Sequence, residues 1–392
     1  MIPRAGQLLK NERGMILFAS LVLLAVLMAV GVGALVSVQN EFRVSANVTA
    51  GTSAFYLADS GIEWAKDQLS KATTNPPILE DGSQTFRSGS FTVAFIAPAR
   101  RTPLSAQVVV RSVGSQSRSS QTVQAQITKN YDLTDAAVVL RGNSRGVNFS
   151  GDAFLISGTD FDPAVGANVP EAKARPAISS SSDSLRAQVE SALSEVQRSR
   201  VISGSPDRAA VAGSDRIPSP TIARLADDLC DSAAAQITVM PGTGSLTLAN
   251  QTWGTRSAPQ IHCVKGLAET GDVVVAGGNF RGAGILVIQN AEWVGTGPFY
   301  WEGLIVVTGD HVGFRVEGAE SKEVFGGLIV NETGAVSDPG PALFDIRGAI
   351  AIIFSRSALG NVAGLVPSAS LAQSYPALPF TVTQDYWRAV GP

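Results

Sequence analysis

The sequence predicts an α+β protein: a long N-terminal helix, a small antiparallel β-meander, and a mainly β, solenoid-like C-terminal domain with an inserted helical segment. Three observations carry that reading. Residues 14–40 hold no charged side chain, apolar positions continue at helical spacing to Leu69, and from Gly271 onward a glycine followed by an aliphatic run recurs five times. The composition bounds the chemistry. The 392 residues carry 30 Lys+Arg against 33 Asp+Glu, a net charge of −3, which argues against a surface that tracks phosphates and hence against nucleic acid as a partner. Two His and two Cys leave too few ligands for most His- or Cys-built metal sites and make a His-based catalytic centre improbable, so no cofactor is expected.

The N-terminal helix comes first. Residues 15–38 are Leu, Val, Ala, Ile, Met, Phe and Gly, broken only by Ser20 and Ser37. Such a helix is about 36 Å long at ~1.5 Å per residue, enough to cross a hydrocarbon core of about 30 Å. Arg4, Lys10 and Arg13 precede it against the single acid Glu12. Excess positive charge stays on the cytoplasmic side, so the long C-terminal portion is expected to be exported from an inner-membrane, single-pass anchor. The run is longer than the core of a cleaved secretory signal. Beyond it, Val44, Val48, Gly51, Phe55, Ala58, Ile62, Ala65 and Leu69 alternate at spacings of 4 and 3, a 3.5-residue stripe suited to packing. Pro76 and Pro77 then stop the helix, which is assigned to residues 15–75.

A short basic leader ending in Arg13-Gly14, the apolar run, and the segment Ala54-Phe55-Tyr56-Leu57-Ala58-Asp59-Ser60-Gly61-Ile62-Glu63 together resemble type IV pilin-like proteins, particularly the PilX-type minor pilins. The resemblance covers residues 10–70. It implies a leader peptide at 1–14, cleavage after Gly14 by a prepilin peptidase, and a methylated N-terminus at Met15. It also implies that other pilins pack against the helix. Major pilins have Glu five residues after the cut, where this chain has Ala19. A buried carboxylate needs a positive partner, which in pilins is a neighbouring subunit's N-terminal amine. Its absence implies a low-copy, tip-located component. Tip pseudopilins of type II secretion lack the same carboxylate and are the second reading.

Residues 86–130 read as three strands, 91–96, 107–113 and 122–128, separated by turn-forming segments. They form the reduced head expected to sit on the Val44–Leu69 stripe. The remainder, 138–392, is read as the β-rich domain, with strands at 138–140 and 154–156. Asp183 is expected to cap a helix running to about Arg200, and a second short helix spans 221–235, so 163–235 is assigned as a helical insertion.

The recurring unit is Gly271 before Val273–Val275, Gly284 before Ile285–Ile288, Gly303 before Leu304–Val307, Gly327 before Leu328–Val330, and Gly348 before Ala349–Ile353. Its spacing fits coils of a β-solenoid with loops of varying length, and an antiparallel sandwich is the alternative. The repeats also resemble Gly-Leu-Ile-Val segments of PilX-type proteins. Trp253, Trp293, Phe299, Tyr300, Trp301 and Trp387 all fall in this half.

Because β-helices also serve carbohydrate-active enzymes, a membrane-tethered enzyme is the third reading. It would need Asp272, Glu292 and Asp310 to align on stacked rungs. Turn carboxylates are expected without catalysis, and no catalytic residue is assigned. His262 and His311 leave a two-His metal site possible but fit exposed turn histidines better, Asp160 and Asp162 lack a calcium-loop pattern, and Asp227, Asp228 and Asp231 fit a solvated helix. Cys230 and Cys263 form an even pair in an exported chain, which suggests a disulfide, with two free buried thiols the alternative. A displayed β body could hold a surface glycan or protein, though no residue shows it.

Overall fold

The computed structural model describes residues 8–72, 79–96, 101–102, 105–142, 146–169, 175–214, 216, 217–232, 234–240, 244–267, 271–334, 340–366 and 380–390. Residues 1–7 of the leader, and Pro76 and Pro77, lie outside them.

Helix α1 (Leu8–Lys71) is a single uninterrupted helix of 64 residues, about 96 Å long at ~1.5 Å per residue. No proline enters it, and the passage from the all-apolar run to the one-sided stripe occurs without a break. Residues 15–49 are exposed on every side, whereas Ala54, Ala58, Ile62, Ala65 and Leu69 are fully or almost fully buried.

That buried stripe lies on an antiparallel sheet whose strands run, in spatial order, Gly82–Phe86, Gly89–Ile96, Ser105–Gln116, Ser119–Tyr131 and Phe380–Val390. Alternate residues of the middle strands (Phe91, Val93, Val108, Val110, Val123, Ala125 and Ile127) face the helix and close a core of their own. Small residues let the helix approach. A Cβ added at Gly114 would fall 2.0 Å from the Ala54 carbonyl oxygen, and one at Gly61 would fall 2.0 Å from Ser112 Oγ. The meander expected at 86–130 therefore gains a strand at each end. The one at Phe380–Val390 comes from the chain terminus, where the sequence reading assigned β body. Trp387 belongs to this head, edge-on to Phe55 at 5.5 Å between ring centroids.

The rest of the chain alternates between two parallel sheets of twelve and six strands among the described residues. Each return adds a strand beside the previous one: Gln260–Lys265, Phe280–Gln289, Phe299–Gly309 and Lys322–Glu332 in one sheet, and Asp272–Gly277, Ala291–Gly295, Gly313–Val316 and Phe344–Ile346 in the other. The inward aliphatic and aromatic residues stack from rung to rung, with Phe280 against Phe299 and Phe314 against Phe344, and they form a second core. An antiparallel sandwich is excluded for this part by the parallel registers.

The three long strands bend at Gly284, Gly303 and Gly326, which lie in register as a column with φ of +145°, +126° and +135°. A Cβ at these positions would fall 1.9, 2.2 and 2.0 Å from the carbonyl oxygen of the rung beside it. Glycine is needed here both for the left-handed backbone and for the close stacking. The third member is Gly326, not the Gly327 read from the repeat.

Rung order is not chain order. The chain enters within the stack at Val138–Arg141, Val147–Phe149 and Phe154–Ser157, then adds Ile178–Ser180, Val201–Ile202 and Val211–Gly213 on one side. Helix α4 (Ser219–Cys230) then lies along the larger sheet, touching strands from Ala235–Val239 to Lys322–Glu332. The stack resumes at its far end, and coils return until Lys322–Glu332 pairs with Val138–Arg141 and Ile350–Phe354 pairs with Phe154–Ser157. Within 163–235, the strands Ile178–Ser180, Val201–Ile202 and Val211–Gly213 are thus rungs of the larger sheet, and α4 carries the chain back along the stack. The helix expected from Asp183 to Arg200 is two helices, α2 (Asp183–Ala192) and α3 (Glu195–Arg198). Ser182, not Asp183, is the N-cap of α2, and Ser194 begins α3 with a capping box to Gln197 that breaks the run. Helix α5 (Arg356–Val362) covers the glycine column, with Val362 Cγ1 2.9 Å from the Cβ position of Gly303.

Candidate functional site

The first candidate is α1. Arg13, Gly14 and Met15 lie within the helix, and Met15 is exposed, as are the large apolar side chains from Ile16 to Val38. Ser20 Oγ donates to the Leu17 carbonyl at 2.8 Å, so this hydroxyl needs no outside partner in an apolar medium. Of the stripe, Ala58, Ile62 and Leu69 are buried on the sheet and Phe55 is half-buried. Val44 and Val48 are each 62% exposed. They correct the expected packing face. The periodicity continues through them, but the buried stripe begins only at Ala54, so among the described residues nothing covers the first two positions.

The far end of α1 is held by Lys129. Its ammonium donates to the carbonyls of Ser70 (3.2 Å) and Ala72 (2.7 Å), the last acceptors of the helix, and lies 4.2 Å from the centre of the Phe380 ring. Burial lowers its pKa to about 8. One side chain thereby ties the helix end, the strand Ser119–Tyr131 and the C-terminal strand together.

On the body, the carboxylates that an enzyme would have to align have separate partners. Asp272 accepts from the Leu267 backbone N–H at 2.8 Å, Glu292 pairs with Arg315 at 3.1 Å, and Asp310 pairs with His311 at 3.1 Å in a turn after the other sheet. His262 is buried, stacked on Trp253 with ring centroids 4.3 Å apart, and its Nε2 lies 3.1 Å from Gln260 Oε1. Asp160 accepts from the Arg356 N–H and Asp162 from the Ser357 hydroxyl, so both hold the start of α5. Asp227 accepts from Gln289, and Asp231 lies 3.9 Å from Lys265. Among the described residues no group of three or more His, Cys, Asp or Glu is placed to hold a metal. Cys230 and Cys263 are joined as a disulfide, Cα atoms 5.7 Å apart, pinning the end of α4 to a rung. Closing a loop of that length contributes about 3–4 kcal/mol on chain-entropy grounds.

Burial lowers the His262 pKa to about 4, so the ring is neutral in the fold. The unfolded chain takes up this proton near pH 6.5, and stability is therefore lost as pH falls from about 6.5 to about 4. After discounting for solvent screening the loss is about 2 kcal/mol. Urea unfolding across that range is expected to show this slope in the parent and a shallower one in His262→Phe.

The sequence reading missed three polar clusters, because their members are distant or two residues apart. Arg256 grips Glu302 in a fork at 2.6 and 2.7 Å, with Tyr300 donating to the same carboxylate; burial, and then that carboxylate, push the phenol pKa up. Arg141, 1% exposed, donates to the Ile217, Leu140 and Ser179 carbonyls. On the smaller sheet, Arg315, Asp345 and Asn148 sit in register on three adjacent strands. Arg315 lies between Glu292 and Glu317, and Arg347 binds Asp345 Oδ2 at 2.6 and 2.8 Å. Burial, with Asp345 and Glu317 nearby, raises the Glu292 pKa against the opposing effect of Arg315.

No family model matches the chain, and no curated protein sequence matches it. Among solved structures, the competence-associated pilin ComZ from Thermus thermophilus is similar, at 14% identity over 87% of this chain and 98% of that chain, with a TM-score of 0.29.

Proposed function

We propose that the protein is a minor pilin-like component of a type IV pilus or related filament. It is held in the inner membrane by residues 15–38 and, once exported, displays a β-solenoid body at the tip or surface, in a structural rather than catalytic role. The observation that carries this reading is the continuity of α1: one helix is exposed and apolar all round in its first half and buried on one face by its own sheet in its second. An exposed run of 24 uncharged residues, apolar but for Ser20 and Ser37, requires lipid or other apolar helices around it. A filament of like helices supplies both in turn. Val44 and Val48, bare in the single chain, are the positions that neighbouring subunits would cover. Ala19 places no charge in such a bundle.

Mass spectrometry of the mature N-terminus, with a prepilin peptidase present, tests the reading. The expected product begins at a methylated Met15. A chain that retains Met1 in the presence of the working peptidase overturns it and leaves a tethered surface protein.

A further inference from the structure

The register of Asp345 and Asn148 places both beside α2, where the helix packs against the strand Val147–Phe149. Between them is an open cleft of about 600 Å³, lined by Asn148, Ser150, Gln188, Ser191, Asp345 and Arg347 together with Gly146, Val147, Phe149 and Ala192. Asp345 is 2% exposed; its Oδ2 is taken by Arg347, while Oδ1 is buried with no hydrogen-bond partner among the described residues. A buried carboxylate oxygen without a donor is costly. In a cleft wall it marks a place for a ligand hydroxyl or N–H.

We propose that this cleft binds a neutral saccharide. Six polar side chains line it beside the apolar Val147, Phe149 and Ala192, and its two charges, Asp345 and Arg347, cancel. Asn148 and Gln188 each offer a donor pair and an acceptor on one planar group, Ser150 and Ser191 offer hydroxyls that do both, and the carboxylate accepts. That mixture matches neighbouring sugar hydroxyls, which donate and accept at short spacing. Charged ligands fit worse. Glu292 and Glu317 beside Arg315 oppose a phosphate, sulfate or sialic acid, and Arg315 and Arg347 oppose a cation. The volume lies within the range of small-molecule sites, about 300–1,000 Å³. The cleft is built on a sheet other than the one that holds α1, so a ligand there does not occupy the helix that assembly would use. The proposal rests on the display reading only for where the ligand is met.

The test applies the full-length protein, in a zwitterionic detergent free of sugar headgroups, to an array of neutral hexose and N-acetylhexosamine oligosaccharides printed beside sialylated and sulfated ones. Retention on neutral members is expected. Asn148→Ala combined with Gln188→Ala is expected to weaken it by about tenfold or more, the loss of two hydrogen bonds. Asp345→Asn is expected to weaken it as well, each variant keeping the parent melting temperature. Where Asp345→Asn melts early, the surface double variant alone decides. Retention only on acidic glycans, no retention, or retention unchanged in a folded double variant overturns the proposal. The N-terminal processing assay is independent. A processed chain blind to glycans loses this proposal alone, and a glycan-binding chain that keeps Met1 loses the filament reading alone.

Discussion

Gly303→Val is expected to unfold the body while leaving the head sheet on α1 intact. Gly303 is the middle of the in-register column, has φ of +126°, and a Cβ there falls 2.2 Å from the Gly284 carbonyl oxygen and 2.9 Å from Val362. The substitution therefore combines a backbone conformation that β-branched residues avoid with a clash against backbone that cannot move without displacing the neighbouring rung. Together these cost about 3–5 kcal/mol. In a stack each rung is held by its neighbours, so the loss spreads along the coil. Denaturant unfolding followed by the fluorescence of the body's buried Trp293 and Trp301 should show the midpoint falling steeply. Gly166→Asn is the control, since Gly166 also has positive φ (+73°) but nothing lies within 4 Å of its Cβ position. A Gly303→Val protein as stable as the Gly166→Asn control would show that the column does not hold the rungs.

Leu24→Asp combined with Leu27→Asp is expected to remove the protein from the membrane fraction and from filaments without changing the unfolding of either folded part. Both leucines are exposed, at 56% and 61%, and belong to a stretch that none of the described residues covers. Each aspartate near the middle of a spanning helix costs roughly 3 kcal/mol on insertion scales. The pair shifts partitioning by about four powers of ten. Retention of the double variant in carbonate-washed membranes would mean that residues 15–38 are not what anchors the chain.

What could be read from the sequence followed the range over which each feature is encoded. α1 was legible because its signals are local: uncharged residues in a run, then apolar ones every three or four positions. Where its buried face begins was not, because Val44 and Val48 continue the same period and only the extent of a distant sheet decides that packing starts at Ala54. The aliphatic runs marked the rungs, and an interrupted helix at Ser194 had a local signal in the serine and the glutamine three residues on. The spatial order of the rungs had none. Lys322–Glu332 meets Val138–Arg141, and Phe380–Val390 meets Ser119–Tyr131, across separations that no window of sequence contains. The cleft was hidden for the same reason. Nothing local in the sequence singles out Asp345 and Arg347; Asn148 and Gln188, far earlier in the chain, are brought beside them only by the fold.

The central claim, one helix in lipid along its first half and under a sheet along its second, is tested most directly by labelling single cysteines with a membrane-impermeant maleimide in intact cells. Positions 21 and 27 test the lipid, 44 and 48 the bare stripe, and 58 and 62 the sheet. The expected pattern is no label at 21 and 27, label at 44 and 48 in unassembled protein that disappears in purified filaments, and label at 58 and 62 only after denaturation. Label at 58 and 62 in the native protein, or free reaction at 21 and 27, would contradict it.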